Sequence, residues 1–132
     1  MSRLLLDTTF LIDAERLAVD LDHVVGDDDD VAVAAITVAE LWVGVLLATG
    51  KRQAARAKFI DDMLDTIPAL HYDLATAEAH AELLAQVRAS GTPRGAHDLI
   101  IAATAKTSGR IVVTADSTGF TGLTGVTVRP HR

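Results

Sequence analysis

The sequence contains no cysteine, which excludes a disulfide framework and any thiolate-ligated metal. Aromatic residues make up only 4% of it, too few for a platform on which single-stranded bases stack in succession. The longest unbroken apolar stretch, Leu41 to Ala48, falls well short of the about 20 residues that a membrane-spanning helix needs. The N-terminus has one Arg, three leucines and then Asp7, without the h-region or cleavage site of a signal peptide. A cytoplasmic protein with no membrane partner is the expectation. Cations are also in short supply: 12 Lys and Arg against 18 Asp and Glu leave a net charge of −6. Taken alone, that argues against a nucleic-acid partner, since phosphates need cations. Net charge is a sum, however, and four of the acids form the single run Asp27 to Asp30. Nucleic acid, if handled at all, is then recognised through its backbone and shape.

What is present fits one globular domain, residues 1–132, with 49% apolar and 23% charged residues and enough length for a real core. Mean hydropathy of +0.28 is high for a small soluble monomer and points to apolar surface kept for a partner. Arg3 to Leu6 is a short apolar run that ends in Asp7, and such a run reads as a buried strand. Thr8 to Glu15 follows as a helix, and His23 to Asp30 as a short helical turn and an acidic, solvated loop. Val31 to Ile36 is a second buried strand, after which Thr37 opens a helix through Leu46 that Gly50 stops. A basic amphipathic helix comes next, with Lys51, Arg52, Arg56 and Lys58 toward water and Ala55, Phe59, Ile60, Met63 and Leu64 toward the core. Pro68 ends it, and Ala69 to Tyr72 forms a third strand. Asp73 to Ser90 is a long Ala-rich helix with Leu74, Ala77, Ala81, Leu84 and Val87 on one face and Gly91 at its C-terminus. His97 and Asp98 open an apolar helix that ends near Gly109. Ile111 to Thr114 and Val126 to Val128 are the last strands. Strands alternating with helices predict a three-layer α/β/α fold around a mostly parallel sheet of about five strands.

In such a sheet ligands bind beyond the carboxyl ends of the strands. Asp7 and Asp116 each follow a strand end, Glu40 falls in the first turn of the helix after strand two, and Asp98 begins another helix. Each has a local explanation: Thr37 and Glu40 form a capping box, Asp7 and Asp98 are N-caps, and Asp116 makes an Asx turn. As a group they carry a cost. Two carboxylates about 5 Å apart at an effective dielectric near 20 repel by about 3 kcal/mol, and a hard divalent cation relieves that. Such a site suits phosphodiester hydrolysis. Other chemistries lack their residues. His23, His71, His80, His97 and His131 have no H-E-x-x-H spacing, and no Ser sits in a G-x-S-x-G elbow. Gly44 to Arg52 departs from a P-loop by one residue between the glycines and by Arg52 in place of Ser or Thr.

The stretches Asp7 to Asp13, Thr37 to Leu41, Asp98 to Ala105 and Val113 to Asp116 resemble the successive motifs of PIN-domain nucleases. Chain length and motif order resemble the VapC toxins of toxin–antitoxin pairs. The resemblance implies a Mg²⁺-dependent endoribonuclease, with Mn²⁺ able to substitute, that cleaves structured RNA such as tRNA or rRNA. It further implies a homodimeric toxin inhibited by a VapB-type antitoxin. Carried over, it places the catalytic and metal-binding acids at Asp7, Glu40, Asp98 and Asp116, with Thr114 as a supporting hydroxyl. Many relatives have a further acid or His where Gly119 stands here, so Asp116 is the sole acid of the last motif. Lys51, Arg52, Arg56, Arg88 and Arg94 are candidates for RNA phosphates or for solvated helix faces, with Arg94 the nearest in sequence to Asp98. Trp42 fits either an interface or the core. Two rivals remain at this point. A haloacid-dehalogenase-type phosphatase also begins with a strand ending in Asp, but needs a second Asp where Thr9 stands, and no lysine is well placed to complete its site. A non-catalytic interaction module would use all four acids as caps.

Overall fold

The computed structural model describes residues 1–17 and 25–131. Strands β1 (Arg3–Leu6), β2 (Asp30–Ala34), β3 (Ala69–Leu70), β4 (Ile111–Thr114) and β5 (Val128–Pro130) form one sheet in the order β3-β2-β1-β4-β5. Every neighbouring pair is parallel, with Leu5 opposite Ala32 on one side and Val112 on the other. Helices α1 (Thr8–Leu17), α2 (Ala35–Leu47), α3 (Gly50–Thr66), α4 (Leu74–Ser90) and α5 (Ala96–Ser108) connect the strands.

The period-two alternation of the strands divides the core into two layers. Leu5, Ala32, Ala34 and Val112 pack with Leu83 and Val87 of α4 and with Leu99, Ile101 and Ala102 of α5. Leu4, Leu6, Val33 and Val113 face the other way, onto Phe10 and Leu11 of α1, Leu41 and Val45 of α2, and Ile60 and Met63 of α3. Apolar residues at consecutive positions, as in Leu4 to Leu6 and Val31 to Ala34, are what a sheet covered on both faces requires. Trp42 packs against the second cluster. The chain leaves β1 for β2 and β3 on one side, then crosses to β4 and β5 on the other. The order therefore reverses between β1 and β4, and a crevice opens there at the carboxyl edge.

Several boundaries and faces differ from the sequence expectation. The second strand ends at Ala34 and α2 begins at Ala35, because Ala34 rather than Thr37 is the N-cap. Glu40 therefore lies in the second turn of α2, not the first. The third strand is only Ala69–Leu70, matched to the two residues of β2 that it pairs with. The last strand is Val128–Pro130 rather than 126–128, since Val126 N–H is bonded to Leu123 O in a turn and Val112 pairs with Val128. In α3, Ile60 and Met63 are buried, whereas Ala55 and Leu64 are exposed. Arg56 is half-buried there, its Nη1 donating to Gly44 O at 3.0 Å.

The buried face of α4 is Thr76, Ala79, Leu83 and Val87, with Leu74 89% exposed and Ala81 exposed. Capping sets this register: Asp73 Oδ1 accepts from Thr76 N–H at 2.9 Å and from the Thr76 hydroxyl at 2.9 Å, drawing Thr76 inward. The expected helical turn beginning at His23 lies largely outside the described residues. Within the acidic run that follows, Asp29 accepts from Ser2 N–H and Gly26 N–H, and Asp30 pairs with Arg110 at 3.0 Å. These acids anchor the start of β1 and the base of β4 rather than being merely solvated. Among the described residues, no helix is long and apolar enough to cross a membrane.

The register of α4 is testable. Leu83→Ala is expected to destabilise the protein by about 2–5 kcal/mol, as a buried truncation does. Leu74→Ala should stay within about 0.5 kcal/mol. Urea unfolding followed by circular dichroism measures both.

Candidate active site

Asp7 sits at the carboxyl end of β1, at the crevice between β1 and β4, and is only 1% exposed. Its Oδ1 accepts from Phe10 N–H at 2.9 Å, so it does cap α1, and from the Thr9 hydroxyl at 2.9 Å. Its Oδ2 accepts from the Thr114 hydroxyl at 2.6 Å. Thr114 Oγ1 also accepts from Asp116 N–H at 3.0 Å, which ties the ends of β1 and β4 together. Burial pushes the Asp7 carboxyl above the usual aspartate range. The bonds from Thr114, Phe10 and Thr9 pull it back in part, and the charge of Asp98 raises it further.

Asp98 lies in the first turn of α5, whose N-cap is Gly95 with no side-chain capping bond. It is therefore not the N-cap, and among the described residues nothing donates a hydrogen bond to it. Its carboxyl is also raised, first by burial and then by the charges of Glu40 and Asp116, with His97 opposing. The carboxylate lies against two glycines. A Cβ at Gly95 would stand 3.2 Å from Asp98 Oδ2, and one at Gly119 would overlap that oxygen outright. Asp98 thus occupies the space that a side chain at 119 would fill.

Glu40 is held at both oxygens. Thr8 Oγ1 donates to Oε1 at 2.7 Å, and His97 Nδ1 lies 3.1 Å from Oε2. It takes no part in the capping box expected from Thr37. Thr37 is instead fully buried, its hydroxyl 3.3 Å from that of Thr8. Asp116 is exposed and does form the Asx-type cap, with Oδ1 accepting from Thr118 N–H at 3.1 Å and the Thr118 hydroxyl at 2.7 Å. A cleft of about 370 Å³ opens at Glu40, Gly95, Ala96, His97 and Asp98. Asp98 is the shared neighbour: its charge is felt by Asp7, and it in turn feels Glu40 and Asp116.

Arg94 does not project freely beside these acids. Its Nη2 donates to Thr121 O at 2.7 Å, and its Nε is buried without a partner, so it straps the loop before α5 to the turn after Asp116. The sequence reading missed Thr8, Thr9 and His97. The available signal was position, since two hydroxyls directly follow Asp7 and an imidazole directly precedes Asp98.

A PIN-domain profile matches residues 4–121. The chain belongs to the PIN-domain family. Ribonuclease VapC4 of Mycobacterium tuberculosis is 35% identical to this PIN domain over 115 residues, 87% of each chain. The solved VapBC-5 toxin–antitoxin complex from Mycobacterium tuberculosis is 29% identical, with a TM-score of 0.81 over 99% of this chain and 100% of that one. VapBC2 from Rickettsia felis, solved bound to a DNA fragment from its promoter, has a TM-score of 0.89 at 19% identity, covering 98% of this chain and 99% of that one. At that identity the likeness is one of fold.

The raised Asp7 carboxyl makes a prediction about this PIN domain's stability. An acid whose pKa is higher in the folded state favours folding below its unfolded pKa and loses that contribution as pH rises through the folded one. Ionised Asp7 is therefore a cost at neutral pH. Asp7→Asn, nearly isosteric, is expected to raise the melting temperature at pH 7–8, with the gain disappearing as pH falls into the aspartate range. Differential scanning fluorimetry across pH measures it.

Proposed function

We propose that this PIN domain is the toxin of a VapBC-type pair: a Mg²⁺-dependent endoribonuclease that cleaves structured RNA, tRNA or rRNA, and is inhibited by a VapB-type antitoxin. The observation that carries it is Asp98, a half-buried carboxylate with no hydrogen-bond donor among the described residues, in electrostatic contact with Asp7, Glu40 and Asp116. It stands at the topological switch point of a chain 35% identical to a VapC ribonuclease.

The donor set fits Mg²⁺. All four acids offer hard oxygen ligands, and Asp98 has acceptor capacity that the described residues leave unused. Among the described residues, no three Asp, Glu or His side chains form a ready-made metal cage. Mg²⁺ needs none, because it binds through one or two carboxylates and keeps several waters. Asp98 and Asp7 would hold it, with Glu40 and Asp116 at the rim and Mn²⁺ as a substitute. When bound, such a cation supplies charge neutralisation at the phosphodiester and a more acidic water.

The remaining work falls to the protein's own groups. Thr114, Thr9 and the Phe10 amide fix Asp7 rigidly. Thr8 and His97 fix Glu40 from two sides. Asp98, with no donor among the described residues, would have an oxygen left to accept a hydrogen bond from the attacking water. The phosphatase alternative needs a second Asp two places after Asp7, and Thr9 stands there, its hydroxyl donating to Asp7 Oδ1 at 2.9 Å. Exposed Val43, Leu46 and Leu47 on α2 offer apolar surface for the antitoxin or a second copy of the chain.

Asp98→Asn is expected to lower RNA cleavage by at least about 100-fold, the scale of a lost acid–base or charge-stabilising group, with the circular dichroism spectrum unchanged. Millimolar Mg²⁺ or Mn²⁺ should raise the melting temperature of the wild type, because it binds the folded state, and should raise that of Asp98→Asn less. Cleavage at wild-type rates by Asp98→Asn would remove the proposal's basis.

A further inference from the structure

The carboxylates that suit a cation repel an RNA backbone, so a ribonuclease with a net charge of −6 needs local cations to hold its substrate. Most of its basic residues are already engaged. Arg3 and Arg110 pair with Asp30, Lys58 with Asp62, and Lys106 with Glu82. Arg94 and Arg129 donate to Thr121 O and Ser2 Oγ. Among the described residues, Arg16, Lys51, Arg52 and Arg88 make no ion pair or hydrogen bond. Two of these four converge. Arg16 from the last turn of α1 and Arg52 from the first turn of α3 line a pocket of about 280 Å³ with Arg56 and a single acid, Glu15. Arg56 is held in place by its bond to Gly44 O.

We propose that Arg16, Arg52 and Arg56 form a phosphate-binding subsite for the RNA strand, an assignment that rests on the ribonuclease function above. Three guanidiniums around one pocket repel one another, and a phosphodiester, which accepts their paired N–H donors, relieves that repulsion. The pocket is linked to the acidic cleft through shared lining residues. It shares Glu15, Arg16 and Arg56 with an apolar groove of about 230 Å³, and that groove reaches Glu40, which also lines the cleft at Asp98. Glu40 thus stands between the groove that adjoins the arginine pocket and the cleft at Asp98. A substrate carrying a phosphate at every nucleotide offers one group to the arginines and another to the acids. The polar arginine pocket contributes affinity and register, and the cleft contributes chemistry.

The test uses a fluorescein-labelled RNA hairpin and fluorescence anisotropy over a series of KCl concentrations, in the non-cleaving Asp98→Asn background. Arg16→Gln with Arg52→Gln is expected to weaken binding roughly 10-fold and to flatten the slope of log affinity against log salt by about 1.4–1.8, for two phosphate contacts in the loop or stem. Arg16→Lys with Arg52→Lys, which keeps the charges, should restore the slope. In the otherwise wild-type enzyme the Gln pair should raise KM and leave kcat unchanged. Should the double variant fold poorly, Arg52→Gln alone is read with half the slope change. Unchanged RNA affinity and salt slope overturn the subsite, and so does an effect confined to an acidic probe such as oligo-glutamate. If the wild type cleaves RNA with Mg²⁺ and the Gln variants match it, the subsite alone fails. If the wild type neither binds nor cleaves RNA, the ribonuclease function fails with it.

Discussion

The structure turns on a negative charge held out of water. Asp7 ends the central strand at the point where strand order reverses, and the chain surrounds it with two hydroxyls and an amide instead of a cation. Those bonds reduce the desolvation cost without cancelling it, since the carboxyl remains raised. A buried carboxylate short of compensation is a standing demand for positive charge. Asp98 adds to the demand from α5, and Glu40 and Asp116 surround Asp98 in turn. Stability given up at that edge is recovered in the two apolar layers on either face of the sheet.

The local explanations of the acids turned out to be only partly alternatives to the functional one. Asp7 is an N-cap, Asp116 is an Asx cap, and both still face the same crevice edge. Capping orients a carboxylate as firmly as ligation does, and one oxygen can serve locally while the residue's charge acts at a distance. Glu40 and Asp98 escape their expected local roles for a backbone reason. Each helix starts earlier than expected, at Ala35 and Ala96, which moves both acids past the capping position and into the site.

The architecture was legible in the sequence because buried parallel strands and their helices leave strong patterns: Leu4 to Leu6 and Ile111 to Thr114 appear where the apolar runs place them, and the run Val31 to Ile36 holds the second strand up to Ala34. What was not legible depended on tertiary partners. The face of α4 followed the Asp73–Thr76 cap rather than the Leu and Ala stripe. The last strand slid by two residues because its register is fixed by Val112 across the sheet. The same holds at the site. Asp7, Asp98 and Asp116 stand at strand and helix ends and Glu40 one turn into α2, whereas His97 on Glu40 and Arg94 on Thr121 are contacts between segments 57 and 27 residues apart, which no local pattern encodes.

The central claim is that Asp7 and Asp98 share an environment that disfavours their charge and that a divalent cation reverses this. Carbon-13 NMR titration of the aspartate carboxyls, with and without Mg²⁺, measures it directly. Both residues should titrate above the ordinary aspartate range in the absence of Mg²⁺ and move downward on its addition, while Asp73, capping α4 far along the chain, stays put. Asp7 and Asp98 titrating at ordinary values with no response to Mg²⁺ would contradict the account.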